Sequence, residues 1–404
     1  MRLEPFDKIS AQALVSLVAV SAAGPAAIQL RMVESSDVAA SLADSLHGGP
    51  PIAPLPVDPV ERTRAIMTLQ PSQPITEADA GAVIATSGST EAPKGVVLSR
   101  AAIRTSVEAT HHRLGGAGDW VLALPVHYVA GFMVLARACL ACTRAVRVGA
   151  DLNDLPQVLG GLIARRYISL VPAQLDRALQ RPELSEALAS FNSVLIGGGP
   201  ANAELVERAT AFGIRVVTTY GMSETCGGCV YDGEPLHGVD VELTDDGQIM
   251  IGSRSLFSGY RLRPDLTAAA LIDGKFRTQD RGRWQAGRLM VLGRTDDIVI
   301  TGGHKVDLGE VERCVQRWAA ERHACAVVLG IPDAAWGTLI IAVSDSARSL
   351  EDLQGVVCQS LPGYALPREL IHLDPLPVLP SGKPDRVVIK SMIIETLAKR
   401  RAPL

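Results

Sequence analysis

A short β-branched strand, Val83-Ile-Ala85, runs directly into Thr86-Ser-Gly-Ser-Thr-Glu-Ala-Pro-Lys-Gly95, a segment with four hydroxyls, two glycines and one lysine. A strand that ends this way belongs to a sheet whose edge loops face an anion. Hydroxyls and glycine-exposed backbone N–H groups surround phosphate oxygens without steric cost, and Lys94 adds a positive charge. Thr86, Ser87, Gly88, Ser89, Thr90 and Lys94 are therefore candidate phosphate ligands. The spacing is not that of a Walker A loop, since Lys94 precedes a glycine and no hydroxyl follows it in register. By composition alone, the same string also fits a Ser/Thr-rich surface turn.

The pattern repeats downstream. Runs such as Ala82–Thr86, Ser193–Ile196 and Arg215–Thr219 alternate with Ala/Leu/Arg-rich helical stretches, as in a sheet covered by helices. Ligands in open α/β sheets bind at the carboxyl ends of strands, so these strand ends are candidate site walls. The proline-rich stretch Gly48 to Pro59 breaks helix and strand alike and predicts a loop or linker. Residues 238 to 283 alternate in polarity and carry the turn signals Asp245-Asp246-Gly247 and Asp273-Gly274, predicting a small β-rich subdomain. Beyond Arg294 the rhythm becomes strand, Gly-Gly turn, amphipathic helix from Leu308 to Arg322, strand from Ala324 to Gly330 and a final helix. A chain of 404 residues exceeds what one compact core usually holds. The expected class is α/β: residues 1–295 as a large domain of helix-covered sheets with the β-rich subdomain, and 296–404 as a small mobile α+β domain.

Composition excludes several functions. The net charge is −4 and no stretch concentrates Lys and Arg enough to track a phosphate backbone, so no nucleic-acid partner is expected. The apolar stretch Ala11 to Leu30 is broken by Ser16, Ser21, Gly24 and Pro25 and preceded by Glu4 and Asp7, which predicts neither a signal peptide nor a membrane span. Seven cysteines, an odd number in a large chain, fit a reducing cytoplasm. Cys139 with Cys142 and Cys226 with Cys229 would make a four-thiolate zinc site if brought together. The run Val134 to Ala141, however, reads as a buried helix in which cysteine is a small apolar residue.

The segment Thr86 to Gly95 resembles the phosphate-binding signature of the adenylate-forming superfamily, which contains acyl-CoA synthetases, peptide-synthetase adenylation domains and luciferases. Other motifs follow in the family's order. Leu124-Pro-Val-His-Tyr-Val-Ala-Gly131 resembles its aromatic/His substrate motif, Ile196-Gly-Gly-Gly-Pro200 its adenine loop, and Thr219-Tyr-Gly-Met-Ser-Glu224 its nucleotide and magnesium motif. Arg277-Thr-Gln-Asp280 with Gly293-Arg294 resembles its ribose-binding pair, and Ser381-Gly-Lys-Pro-Asp-Arg386 its C-terminal lysine motif. The resemblance spans residues 82 to 390. It implies an ATP-dependent ligase that activates a carboxylic acid as an acyl-adenylate and passes the acyl group to the thiol of CoA, with Mg²⁺ as cofactor.

The resemblance also implies roles. Lys383 would bridge the carboxylate and the α-phosphate, and Glu224, flanked by Ser223 and Thr225, would hold Mg²⁺. Gly197, Gly198 and Gly199 would form the adenine floor beside a Tyr220-Gly221 turn, and Asp280 and Arg294 would hold the ribose from opposite sides. His127 would gate the space between acid and nucleotide, with Tyr128 and Gly131 beside the substrate. Asp296 corresponds to a hinge, and Gly302, Gly303, His304 and Lys305 to a loop lining the CoA tunnel. Two residues depart from the pattern: Glu91 and Gln279 stand where glycine is usual.

The compact chain and the stretch Ala109-Thr-His-His-Arg-Leu-Gly-Gly116, continuing to His127, resemble the short o-succinylbenzoate:CoA ligases of menaquinone biosynthesis. That implies an aromatic dicarboxylate substrate, for whose second carboxylate Arg113, His111 and His112 are the nearest basic residues in sequence, unless they form a solvated helix end. A ligase for another aryl or medium-chain acid, a stand-alone enzyme loading a carrier protein, and a non-catalytic nucleotide-binding relative are the other readings. The last is disfavoured because Lys383, Glu224, Asp280 and Arg294 are all present. A homodimer is an expectation at family level only.

Overall fold

The computed structural model describes residues 28–86, 93–199, 203–321, 324–346, 349–378 and 384–401. The expected phosphate ligands Ser87, Gly88, Ser89 and Thr90, the departure Glu91 and the lysine Lys383 lie outside the described residues.

Four sheets organise the chain. The first runs in the order Arg31–Val33, Ile52–Pro54, Ala80–Thr86, Lys94–Ser99 and Gly259–Tyr260. Its first three strands are parallel. The proline-rich stretch is thus not simply a linker, because Ile52 and Ala53 form a fully buried strand inside the sheet. The prolines sit where the ladder ends or bends: Pro51 contributes only its carbonyl, to Arg31, and Leu55 N–H donates to Val33. Proline is tolerated where no N–H is demanded of it.

The second sheet has seven strands in the order Glu234–Pro235, Gly227–Tyr231, Val216–Met222, Ser193–Ile196, Arg166–Leu170, Asp119–Leu122 and Ala145–Arg147. The five strands from Val216–Met222 to Ala145–Arg147 are parallel. Chain order reverses beside Asp119–Leu122, since the next strand lies on one side of it and the following strands on the other. Such a switch point opens a crevice at the strands' carboxyl ends.

Helix Val129–Leu140 fills the space between these two sheets. It is buried on all sides from Gly131 to Ala138, which its nearly uninterrupted apolar sequence dictates. Phe132, Met133 and Val134 share one core with Ile52, Ile84 and Leu98 of the first sheet and Trp120 and Leu195 of the second. The opposite face of the second sheet packs Val121, Ile168, Val194 and Ile196 against Leu175, Leu188 and Leu205.

The third sheet, Val239–Leu243, Gln248–Ser253, Lys275–Gln285 and Leu271–Ile272 with Arg288–Arg294 beside Lys275–Gln285, is antiparallel. The fourth contains Ile298–Thr301, His304–Asp307, Ala326–Asp333, Gly337–Ser344 and Glu369–His372. Helix Leu308–Ala320 lays Val311, Val315 and Trp318 onto this sheet's Val328, Ile340 and Ala342. The strand expected from Ala324 begins two residues later, at Ala326. Between Ile298–Thr301 and His304–Asp307, Gly302 and Gly303 turn with φ of 54° and 81°. A two-residue hairpin with both residues at positive φ is the geometry in which Gly-Gly is favoured.

Trp318 is fully buried, and its indole N–H donates to Asp352 at 2.9 Å. Trp318→Ala is expected to cost about 3–5 kcal/mol, read as a lower guanidinium midpoint for the transition that unfolds residues 298–397.

Candidate active site

Three of the expected motifs leave the second sheet at the carboxyl ends of its parallel strands. His127 and Tyr128 follow Asp119–Leu122, Gly197 to Gly199 follow Ser193–Ile196, and Tyr220 to Glu224 complete and follow Val216–Met222. The Tyr220-Gly221 pair is strand rather than turn, and the chain turns at Ser223–Thr225. Gly221 pairs with Gly228 on the returning strand, so close that a Cβ on Gly221 would sit 2.1 Å from the Gly227 carbonyl oxygen. No other residue fits there without moving backbone.

Two carboxylates stand at this edge, each held by a tyrosine. The Tyr260 hydroxyl donates to Glu224 Oε1 at 2.9 Å, and the Lys94 ammonium lies 5.1 Å from the centre of the same tyrosine ring. Burial pushes the Glu224 carboxyl up, against the lowering pull of the Tyr260 hydrogen bond and the Lys94 charge. The Tyr220 hydroxyl donates to Asp280 Oδ2 at 2.8 Å. Asp280 is pushed up as well, first by burial, against the Tyr220 bond and Arg294. Thr86, at the end of its strand, lies opposite Lys94 and donates to its carbonyl at 3.2 Å.

Asp280 and Arg294 are cross-strand partners on neighbouring strands of the third sheet. The Arg294 fork is bidentate to Asp296, with Nε at 2.8 Å and Nη2 at 3.0 Å. Gln279, where glycine is usual, accepts from Thr295 at 2.8 Å and so secures the turn that carries Asp296.

His127 is 8% exposed and its Nε2 makes no hydrogen bond. Burial lowers its pKa to about 4, so the ring is neutral at physiological pH. Its ring lies 4.2 Å from that of Tyr128. Gly131 lies beneath this loop, where a Cβ would meet the Pro125 carbonyl oxygen at 2.3 Å. Its observed contribution is to let the loop lie flat on the helix.

The Gly302-Gly303 hairpin belongs to the fourth sheet. Gly302 N–H donates to the Trp336 carbonyl at 2.9 Å, His304 stacks on Tyr364 at 4.1 Å, and the Lys305 side chain is exposed.

Three residues at the site belong to no motif. Tyr260 reaches Glu224 across 36 positions and Glu61 reaches Tyr128 across 67, so local pattern carries no sign of either. Arg137 has a signal, being the one charge within the apolar run Val129–Leu140. It is 3% exposed, stacks over Trp120 at 4.9 Å, leaves its Nε unbonded and has no carboxylate partner among the described residues. Arg113 instead pairs with Asp232 at 3.1 Å, and His112 is exposed beside His237. His111 lies near Arg137, with its pKa lowered to about 4 by burial and then by that charge.

Residues 8–261 match the family model described as AMP-binding enzyme. The chain belongs to that family. A "Probable 2-succinylbenzoate–CoA ligase" of Mycobacterium tuberculosis is 43% identical over 326 residues, covering 77% of this chain and 84% of the relative. A 2-succinylbenzoate–CoA ligase of Listeria monocytogenes is 29% identical, covering 77% and 70%. The solved o-succinylbenzoate CoA synthetase of Bacillus subtilis with ATP and magnesium superposes with a TM-score of 0.76 over 92% of this chain and 91% of that one; at 22% identity it shares the fold. The helix-covered sheets, the β-rich unit and the C-terminal α+β unit are thus the architecture of AMP-binding enzymes. Among the described residues, no helix is long and apolar enough to cross a membrane.

A carboxyl group whose pKa is raised on folding costs stability once pH has climbed past its unfolded value, and that cost vanishes in acid. Glu224→Gln, which keeps an acceptor for Tyr260, is expected to raise the melting temperature of the unliganded enzyme at neutral pH. The gain should shrink towards zero as pH falls below about 4.5, which melting curves across a pH series would show.

Proposed function

We propose that this AMP-binding enzyme is an ATP-dependent acid:CoA ligase that converts 2-succinylbenzoate to its CoA thioester through an acyl-adenylate, in the cytoplasm where ATP and CoA are available. The observation that carries the substrate reading is Arg137. A buried guanidinium without an acid beside it is costly to maintain, and a ligand carrying a second carboxylate removes that cost. Its guanidinium comes within 4.0 Å of where a Cβ on Gly227 would stand, directly behind the Glu224 turn. A monocarboxylic acid would leave it uncompensated.

A carboxylate attacking the α-phosphate of ATP meets an anion, so the barrier is set by charge and placement. Lys383 supplies the cation that spans both groups, and Lys94 with Thr86 and the hydroxyls of Ser87, Ser89 and Thr90 cradles the phosphates around Gly88. Gly197 to Gly199 and the ring of Tyr220 enclose adenine across Gly221, with Ser223 beside the phosphates. Asp280 accepts from the ribose hydroxyls, and Arg294 donates from the one terminal nitrogen not used on Asp296. His127, neutral and buried, forms the wall between acid and nucleotide, with Tyr128 and Gly131 completing it. Two domains, 1–295 and 296–404, meet at Asp296, and Gly302, Gly303, His304 and Lys305 line the approach of CoA for the second step.

Glu224 fits a magnesium site of one carboxylate, with the remaining ligands drawn from phosphate oxygens and water. No cluster of three or more acidic, His or Cys side chains stands among the described residues to hold a metal by itself. Magnesium bound there supplies charge neutralisation of the phosphates.

Three experiments test the reading. Pyrophosphate release with ATP, Mg²⁺ and CoA is expected with 2-succinylbenzoate and not with benzoate, salicylate or a medium-chain fatty acid, and Lys383→Ala is expected to abolish acid-dependent pyrophosphate exchange while sparing thiol transfer from synthetic acyl-adenylate. Arg137→Leu is expected to raise KM for 2-succinylbenzoate by roughly 10- to 100-fold, the worth of a charged hydrogen bond, with KM for ATP unchanged. Equal losses for both substrates would remove Arg137 from the acid pocket.

A further inference from the structure

Glu61 stands outside every motif, yet its carboxylate reaches the centre of the site. It lies in the first turn of helix Pro59–Leu69, where the Asp58 side chain accepts from the N–H groups of Val60 and Glu61 at 3.0 and 2.8 Å and fixes the helix start. From there, Glu61 Oε1 accepts from the Tyr128 hydroxyl at 3.3 Å, while Oε2 lies 3.9 Å from the orphaned Nε2 of His127. The Glu61 side chain is 18% exposed and that of His127 is 9% exposed, so water competes weakly for either. The other charged groups acting on Glu61 are Asp58 and Arg64 of its own helix and Asp385 of the C-terminal segment.

We infer that Glu61 is the positioning residue for the His127–Tyr128 pair, holding the phenol by a hydrogen bond and keeping the proton of the neutral imidazole on Nε2, the nitrogen that faces it. The chain of contacts makes this directional. Tyr128 can donate only one proton, and Glu61 takes it. Among the described residues, no group hydrogen-bonds His127 Nε2, and the Glu61 carboxylate faces it at 3.9 Å. A movement of about 1 Å closes the 3.9 Å gap into a hydrogen bond, so the ring has a defined place to go when it swings from the acid. The inference rests on the reading of His127 as the wall between acid and nucleotide.

The test uses the full chain with Glu61→Ala, Glu61→Gln, Tyr128→Phe and the double variant Glu61→Ala/Tyr128→Phe. Imidazole nitrogen NMR, with His127→Asn to assign the signal, is expected to find the His127 proton on Nε2 in the native enzyme and to find it displaced to Nδ1 or averaged in Glu61→Ala. Acid-dependent pyrophosphate exchange is expected to show KM for the acid raised roughly tenfold in Glu61→Ala with KM for ATP unchanged. The double variant should be no worse than Glu61→Ala, and Glu61→Gln, whose amide oxygen still accepts from Tyr128, should recover much of the loss. Should Glu61→Ala fail to fold, Glu61→Gln still reports on the imidazole proton and Tyr128→Phe on the coupling. An unmoved His127 signal, additive losses, or losses equal for acid and ATP that follow the melting temperature would overturn the inference. A native enzyme without acid-dependent exchange, but with a His127 proton that responds to Glu61, would overturn the functional reading alone.

Discussion

Two carboxylates kept ionisable in a cleft that disfavours their charge are the constraint on which this structure depends. Removing a carboxylate from water is expensive unless donors replace the lost solvent, and here the donors are the hydroxyls of Tyr260 on Glu224 and Tyr220 on Asp280. Each tyrosine comes from a different sheet than the one a simple local turn would use: Gly259–Tyr260 pairs with Val96–Val97 of the first sheet, whereas Asp280 lies in the third. The cleft therefore forms only when three sheets are docked. Helix Val129–Leu140, buried between the first two, is what sets their separation.

Close approach does the rest. Gly221 against Gly227 and Gly131 against Pro125 leave no room for a side chain, so the strand carrying Tyr220 and the loop carrying His127 are positioned by backbone packing rather than by flexible side chains. A site built on such contacts is positioned by rigid backbone, which is what orientation-driven catalysis requires.

The sheet-and-helix rhythm, the Gly-Gly hairpin and the β-rich unit, expected over residues 238 to 283 and extending in the structure to Arg294, were legible because each follows from short-range chemistry: strand alternation, turn residues and helical amphipathicity. The strand at Ile52–Pro54 was hidden because proline frequency argues for a loop, while burial of Ile52 and Ala53 between two parallel neighbours decides otherwise. Tyr260 and Glu61 were hidden because their partners are distant in sequence. Arg137 differs, since one charge in a buried apolar helix is visible in the string; what the string cannot supply is that, among the described residues, no acid pairs with it, a fact of tertiary packing. The nearest basic residues, Arg113 and His112, were poorer candidates because Asp232 already pairs with the first and solvent reaches the second.

Among the described residues, the apolar clusters of the C-terminal unit stay within it, and polar side chains join it to the third sheet. Arg281 pairs with Asp307 and Arg313 donates to the Leu292 carbonyl, whereas Asp385 and Glu61 repel as like charges. Within the unit, Arg386 grips Glu312 and the Val328 carbonyl, fixing the start of the last helix at the final residue of the lysine motif. The Arg281–Asp307 pair is largely buried, with side chains 22% and 9% exposed, and the apolar core around Trp318 lies wholly within the C-terminal unit. The segment from Arg294 to Ile298 joins this unit to the third sheet. The bidentate Arg294–Asp296 fork lies at that joint and, by cross-strand pairing, beside Asp280, so a group bound to Asp280 and the geometry of the connecting turn bear on the same guanidinium.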